Sequence, residues 1–258
     1  MEISFRTQPM DPATGIAFCW ELRIVADPPV ALADLFIPEL FFDFFFVQMG
    51  ELRGSAAASR TEWILPRQSL KTLHTHALTL TFTTPLRLFG ARLPLQFGER
   101  FWEASPGANT FLAQEWVEPG VVDLAAFAEQ VVGVVNGRAV QKNPYPLLKN
   151  GLEESTWLSS YSPRHKRRLY QATFGLSRQA LQRIANLHAF LAQNCDFDPD
   201  SPRLIGYVNA ELFYDQPHFN HAFKKMVGLT PLEYFEASSV LQDNLMAVSY
   251  NALPVQDE

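Results

Sequence analysis

The stretch Glu211–Tyr234, ELFYDQPHFNHAFKKMVGLTPLEY, decides how the second half of this 258-residue chain is read. Asp215 is a good N-cap, and Pro217 falls in the first turn, where a missing N–H costs nothing, so a helix should begin here. Phe219, Ala222, Phe223 and Met226 recur at helical spacing and form the stripe expected to be buried. Gln216, His218, Asn220, His221, Lys224 and Lys225 fall outside that stripe. Gly228 should end the helix, and Thr230-Pro231-Leu232-Glu233 opens the next as a capping box with proline at the first helical position. A short helix held at both ends, with amides, imidazoles and ammonium groups outward, suits the DNA major groove. Amides and imidazoles can meet base edges there, and lysines can meet phosphates. Leu204, Ile205, Val208 and Leu212 supply a supporting apolar face just upstream, which completes one helix-turn-helix unit.

A second unit is expected before it. Ser162-Pro163 starts a capped helix with Leu169, Tyr170 and Thr173 inward and Arg164, Arg167, Arg168 and Gln171 outward, and Gly175 ends it. Ser177 caps a longer helix that runs to about Asn194, with Leu181, Ile184, Leu187, His188 and Leu191 on one side. At roughly 1.5 Å per residue it is about 27 Å long. Such a spacer would let two recognition helices enter major-groove segments about 34 Å apart on one face of DNA. The scaffold of the upstream unit should come from Gly151–Ser160, where Glu153, Glu154, Ser155 and Thr156 leave a weak apolar stripe.

Asp215, Gln216, His218, Phe219, Phe223, Lys224, Gly228, Thr230, Pro231 and Tyr234 stand ungapped in the pattern D-Q-x-H-F-x-x-x-F-K-x-x-x-G-x-T-P-x-x-Y. In this the chain, over about residues 150 to 236, resembles the AraC/XylS transcription regulators. Ser162, Arg164, Arg168 and Tyr170 meet the looser pattern of that family's first unit. Pro38-Glu39 with Asp43 and Phe46, and later Phe89-Gly90-Ala91-Arg92, look like the N-terminal domain of one subgroup. The resemblance implies a bacterial, cytoplasmic regulator whose base-reading residues are Arg164, Arg167 and Arg168 in the first unit and Gln216, His218 and His221 in the second, beside Asn220 on the same outer face. Lys224 would contact phosphate. Implied partners are double-stranded DNA, RNA polymerase, a small-molecule effector and a second copy of the chain. Two departures stand out: Lys166 occupies a position where the family has a buried Leu, and Leu212 one where it has Gly before the aromatic.

The formal net charge is −6, but its distribution matters more than its sum. Ser162–Arg183 carries Arg164, Lys166, Arg167, Arg168, Arg178 and Arg183 and no carboxylate. With 47% apolar residues the chain can build real cores, which excludes a disordered protein. Met1–Asp11 lacks the features of a secretory leader, and the apolar run Phe36–Met49 is short and contains Glu39 and Asp43, so it reads as a buried strand rather than a membrane span. Cys19 and Cys195 cannot form a disulfide framework or a four-cysteine zinc site.

The expected fold is two-domain α+β: a mostly-β N-terminal sandwich or barrel, then an all-α domain with two helix-turn-helix units. Residues 1–118 form the effector-sensing β domain, 119–150 a linker with one amphipathic helix, 151–236 the DNA-binding domain, and 237–258 an acidic tail. Strands are expected at Phe41–Val47, Leu78–Thr84 and Arg92–Phe97, with turns at Met49-Gly50, Pro66, Pro85, Gly90, Gly98 and Pro106-Gly107. In the linker, Leu124, Phe127, Ala128, Val131, Val134 and Val135 share one helical face, available for the sheet or for a dimer seam. His74 and His76 point to one side of a strand, but without a third ligand no metal is expected; Asp196, Asp198 and Asp200 read as a solvated loop. No nucleophile motif, phosphate loop or catalytic carboxylate pair is found, so neither an enzyme nor a cofactor is expected. The alternatives are a regulator that acts by protein contact with a partly degenerate DNA unit, and a cupin-like enzyme.

Overall fold

The computed structural model describes residues 1–56, 62–101, 107–138, 145–149, 151–194, 217–236 and 239–251. The N-terminal region is mostly β, with strands β1 (Glu2–Pro9), β2 (Phe18–Val25), β3 (Ala31–Phe36), β4 (Phe41–Met49), β5 (Leu52–Ala56), β6 (Glu62–Ile64), β7 (Gln68–Lys71), β8 (Leu78–Thr83), β9 (Leu86–Pro94) and β10 (Phe111–Ala113). They form a larger sheet in the order β1-β2-β9-β4-β7-β10 and a smaller one in the order β3-β8-β5-β6, with antiparallel pairings throughout.

The centre of the larger sheet is buried on both faces, which is why β4 reads as a continuous apolar run instead of an alternating one. Phe45 and Val47 join Trp20, Leu22, Leu88 and the smaller sheet's Leu52, Leu80 and Phe82 in the core between the sheets. Phe42, Phe44 and Phe46 face the other way, onto helices. The apolar run around Phe41–Phe46 is therefore packed core rather than a pocket lining. Gly90, expected in a turn, sits inside β9 opposite Trp20 and Phe45. A Cβ there would lie 2.1 Å from the Trp20 indole, so only glycine fits. Likewise Arg92–Phe97 is not one strand: β9 ends at Pro94, and a short helix, α1 (Gln96–Phe101), contains Gly98.

The linker helix α2 (Leu124–Arg138) buries Phe127, Ala128, Val131 and Val135 against the larger sheet, and the Phe127 ring lies 5.4 Å from Phe89. Its apolar face is used within the chain. Five further elements follow among the described residues: a 3₁₀ turn (Thr156–Ser160), α3 (Pro163–Phe174), α4 (Arg178–Asn194), α5 (Pro217–Val227) and α6 (Pro231–Glu236). A last helix, α7 (Leu241–Asn251), occupies the stretch expected to be an acidic tail. Leu241, Leu245 and Met246 are buried in it. Asp34 on β3 explains why a helix starts there, because its buried carboxylate accepts from Ser239 Oγ and from the backbone N–H groups of Val240 (2.8 Å), Leu241 (2.6 Å) and Gln242 (3.2 Å).

Helices and sheet share their cores. Tyr170, Phe174, Leu181 and Ile184 pack into the cluster containing Phe42, Phe44 and Phe97, while Leu187, Leu191, Phe223, Val227 and Tyr234 form another with Ile37 and Ala77. A buried ion cluster lies at the same junction. Arg92 pairs with Glu39 and Asp43, and Lys71 reaches Asp43 at 3.0 Å. Three of the residues that carry the subgroup likeness are thus one electrostatic unit. Beside it, His188 of α4 donates from Nε2 to Pro38 O at 2.7 Å, which leaves Nδ1 to accept from the Tyr250 hydroxyl.

Candidate nucleic-acid interface

Helix α3 is fixed at both ends by the residues expected to do so. The Ser162 hydroxyl accepts from His165 N at 3.3 Å with Pro163 in the first turn, and Gly175 closes the helix at φ 70°. Tyr170 and Phe174 are buried, Leu169 and Thr173 half-buried, and Arg164, Arg167, Arg168 and Gln171 exposed. None of these three arginines has an ion pair among the described residues. The rest of the basic run behaves differently: Lys166 and Arg178 both pair with Glu154, at 3.0 and 3.4 Å. Although burial works against it, the Lys166 hydrogen bond and the Arg178 charge hold the Glu154 carboxyl below its usual range. The acid that weakens the apolar stripe of residues 151–160 is therefore the partner of Lys166. That stretch is not a regular helix. Glu154 forms a β-bridge with Leu148, and only the 3₁₀ turn follows.

Ser177 caps α4 by accepting from Ala180 N at 3.2 Å. Leu181, Ile184, Leu187 and Leu191 are buried along one side, with His188 half-buried among them. The helix expected over this stretch is present, and it is a packed core element rather than a free rod.

Helix α5 buries Phe223 and Val227 and leaves His221, Lys224 and Lys225 exposed, with Asn220 half-buried. Ala222, expected in the buried stripe, is exposed. Gly228 ends the helix at φ 86°, and the capping box forms: Thr230 N donates to Glu233 Oε2 at 2.7 Å and Glu233 N to Thr230 Oγ1 at 3.3 Å. The signature aromatics Phe223 and Tyr234 meet edge to face at 5.7 Å. His218 lies in the first turn of α5, while Asp215, Gln216, the supporting helix expected over Leu204–Leu212 and the Asp196–Asp200 loop lie outside the described residues.

The structure adds a contact that sequence reasoning missed. The segment Thr72–Ala77 is no strand; it turns back beside α5, and Ala77 N donates to Met226 O at 2.8 Å. His74 and His76 consequently do not share a side. His74 is buried with Nδ1 on Thr72 O at 2.7 Å, and burial pushes its pKa down to about 3; His76 is exposed with Nδ1 on the Thr75 hydroxyl. Among the described residues, no group of three or more His, Cys, Asp or Glu could hold a metal ion, and no helix is long and apolar enough to cross a membrane.

No protein-family model matches the sequence, and no curated protein sequence matches it. Among solved structures, the P21 crystal form of ToxT from Vibrio cholerae is similar at 10% identity and a TM-score of 0.37, over 90% of this chain and 98% of that one. Wild-type ToxT from V. cholerae strain SCE256 with a bound unsaturated fatty acid gives 9% identity and 0.35, over 83% and 96%. The Cnp3 cupin domain of Schizosaccharomyces pombe gives 8% and 0.28, over 39% of this chain and 68% of that domain. At these values none of the three bears on what this chain does.

Proposed function

We propose that this protein is an effector-responsive, sequence-specific transcription regulator that reads two adjacent major-groove segments with α3 and α5. The observation that carries this reading is the shared construction of the two helices. Each is closed by a left-handed glycine, buries aromatic side chains (Tyr170 and Phe174 on α3, Phe223 on α5) and exposes hydrogen-bonding and cationic groups: Arg164, Arg167 and Arg168 on one, His221 and Lys224 on the other. Gln216, His218 and Asn220 complete the second reading face by sequence. The sheet region and its junction with α4 are the elements through which an effector would shift the arrangement, by its differential affinity for two states.

The test is binding of the full chain to duplex DNA from upstream of its own gene at two salt concentrations. Phosphate neutralisation predicts a log–log slope near −0.9 per contact. Arg168→Ala and His221→Ala should each weaken specific binding by about 1–3 kcal/mol. Unchanged affinity in both variants sinks the assignment of these faces. A second reading, regulation by protein contact, is favoured by the Thr72–Ala77 turn lying beside α5, and absence of binding at low salt would move it ahead.

A further inference from the structure

Aromatic rings gather at the N-terminal end of α3. Tyr145, Trp157, Tyr161 and His165, with Ser160 and Leu169, are the described residues around an open cleft of about 490 Å³, within the roughly 300–1,000 Å³ of small-molecule sites. The Trp157 ring meets Tyr145 at 6.0 Å and 68° and Tyr161 at 5.5 Å and 89°, while Tyr161 stacks on the His165 imidazole at 4.7 Å and 21°. These walls are held from behind. The Trp157 indole N–H donates to Pro146 O at 2.9 Å, and Leu158 of the 3₁₀ turn is buried. The segment after Tyr145 is pinned where Leu147 N and Leu148 N donate to the buried Glu99 carboxylate at 2.6 and 3.1 Å. The rings are not core: Tyr145 is 65% exposed and Tyr161 41%.

Aromatic walls suit an organic cation or a flat π system, and the surrounding charge decides between the two. Arg168 follows His165 by three residues on α3, the spacing of neighbours on a helix surface, and Arg164 adjoins His165 in the chain. Both arginines are exposed and make no ion pair among the described residues. No carboxylate is among the described residues of the lining. A cation would be repelled there, whereas a nucleobase brings phosphates that the guanidinium groups attract. We infer that this cleft stacks an unpaired base of single-stranded DNA, with Arg164 and Arg168 on the flanking phosphates. Such stacking tolerates any base, because every base has a π-face. It gives the protein a hold on one strand beside the helix that reads the duplex. That last point rests on the duplex-reading role proposed above; the ring site does not.

The experiment is an anisotropy titration of the full chain at low salt with fluorescein-labelled oligothymidylate, against an abasic strand of the same length and charge. The abasic strand keeps every phosphate and should bind at least about fivefold more weakly. Tyr145→Leu/Tyr161→Leu keeps apolar bulk at two exposed positions and removes the π-faces. It should lower oligothymidylate affinity at least about fivefold and leave abasic affinity unchanged. Equal affinity for the two strands, or a double variant that binds oligothymidylate as the parent does, overturns the inference. So does displacement of the strand by thymidine 5′-monophosphate at the same nucleotide concentration, which would give the cleft to a free nucleotide. A duplex titration of the same proteins separates the two proposals. Duplex binding without base-dependent strand binding overturns the ring site alone, and ring-dependent strand binding without duplex binding supports the site and overturns the duplex reading alone.

Discussion

Helices α3 and α5 follow the same construction rules and sit in different surroundings. The inner side of α3, through Tyr170 and Phe174, is built into the core beneath the larger sheet, and its outer arginines make no ion pair among the described residues. The inner side of α5, through Phe223 and Val227, rests on α4, α6 and α7, and part of its outer side borders the Thr75–His76 turn. Helix α3 is fixed to the sheet by burial. Helix α5 shares its cluster with Ile37 and Ala77 of the sheet region, and is held further by a backbone hydrogen bond to Ala77 and by helices that are themselves anchored through Asp34 and His188.

The largest expected effect comes from breaking the junction beneath both. Arg92→Ala strands the buried carboxylate of Glu39 and leaves Asp43 with Lys71 alone, and should cost about 3–5 kcal/mol in denaturant unfolding. Loss of under 1 kcal/mol would mean the cluster is hydrated and not a structural joint. Asp34→Ala acts on one side of the comparison only. It removes the cap of α7 and should cost about 2–3 kcal/mol, with amide exchange rising in α5–α7 before α3. Uniform loss of protection would show that both helices belong to one cooperative unit. Ser162→Ala acts on the other side; losing the N-cap of α3 should cost about 1 kcal/mol and loosen that helix alone.

The most gradual effect is that of pH. Burial holds the His188 imidazole below its usual range and His74 at about 3. A base depressed in the folded state stays neutral there while the unfolded chain takes up a proton near pH 6.5. The contribution of these two imidazoles to stability is therefore intact above about pH 6.5 and is lost as pH falls toward 3. His188→Gln should flatten part of that decline if the α4 junction contributes to it, and an unchanged profile assigns the decline to His74 and the carboxylates.

Much of the second half was legible because its signals are local. A cap hydroxyl reaches three residues along, a terminating glycine needs only its own φ, and an apolar stripe repeats every three or four residues; Ser162, Gly175, Ser177, Gly228 and the Thr230/Glu233 box all follow from that. The misreadings share the opposite cause. Gly90 looks like a turn until Trp20 is placed against it, and the sequence after 237 looks like a tail until Asp34 arrives from β3. His74 and His76 look paired until the chain turns between them, and Ala222 looks buried until the cleft between α4, α5 and the Thr75–His76 turn is seen beside it.

The sequence by itself determined that α2 to α6 are helices, where several of them begin and end, and most of the apolar side of each, because those properties depend on hydrogen bonds and side-chain spacing within one or two turns. Only the tertiary structure decided what each face meets: that Lys166 is neutralised by Glu154, that Glu39, Asp43 and Arg92 are one buried unit, and that His221 shares a cleft with a turn of the sheet. Those partners are brought together by burial of apolar surface, which is non-directional and carries no local mark in the chain.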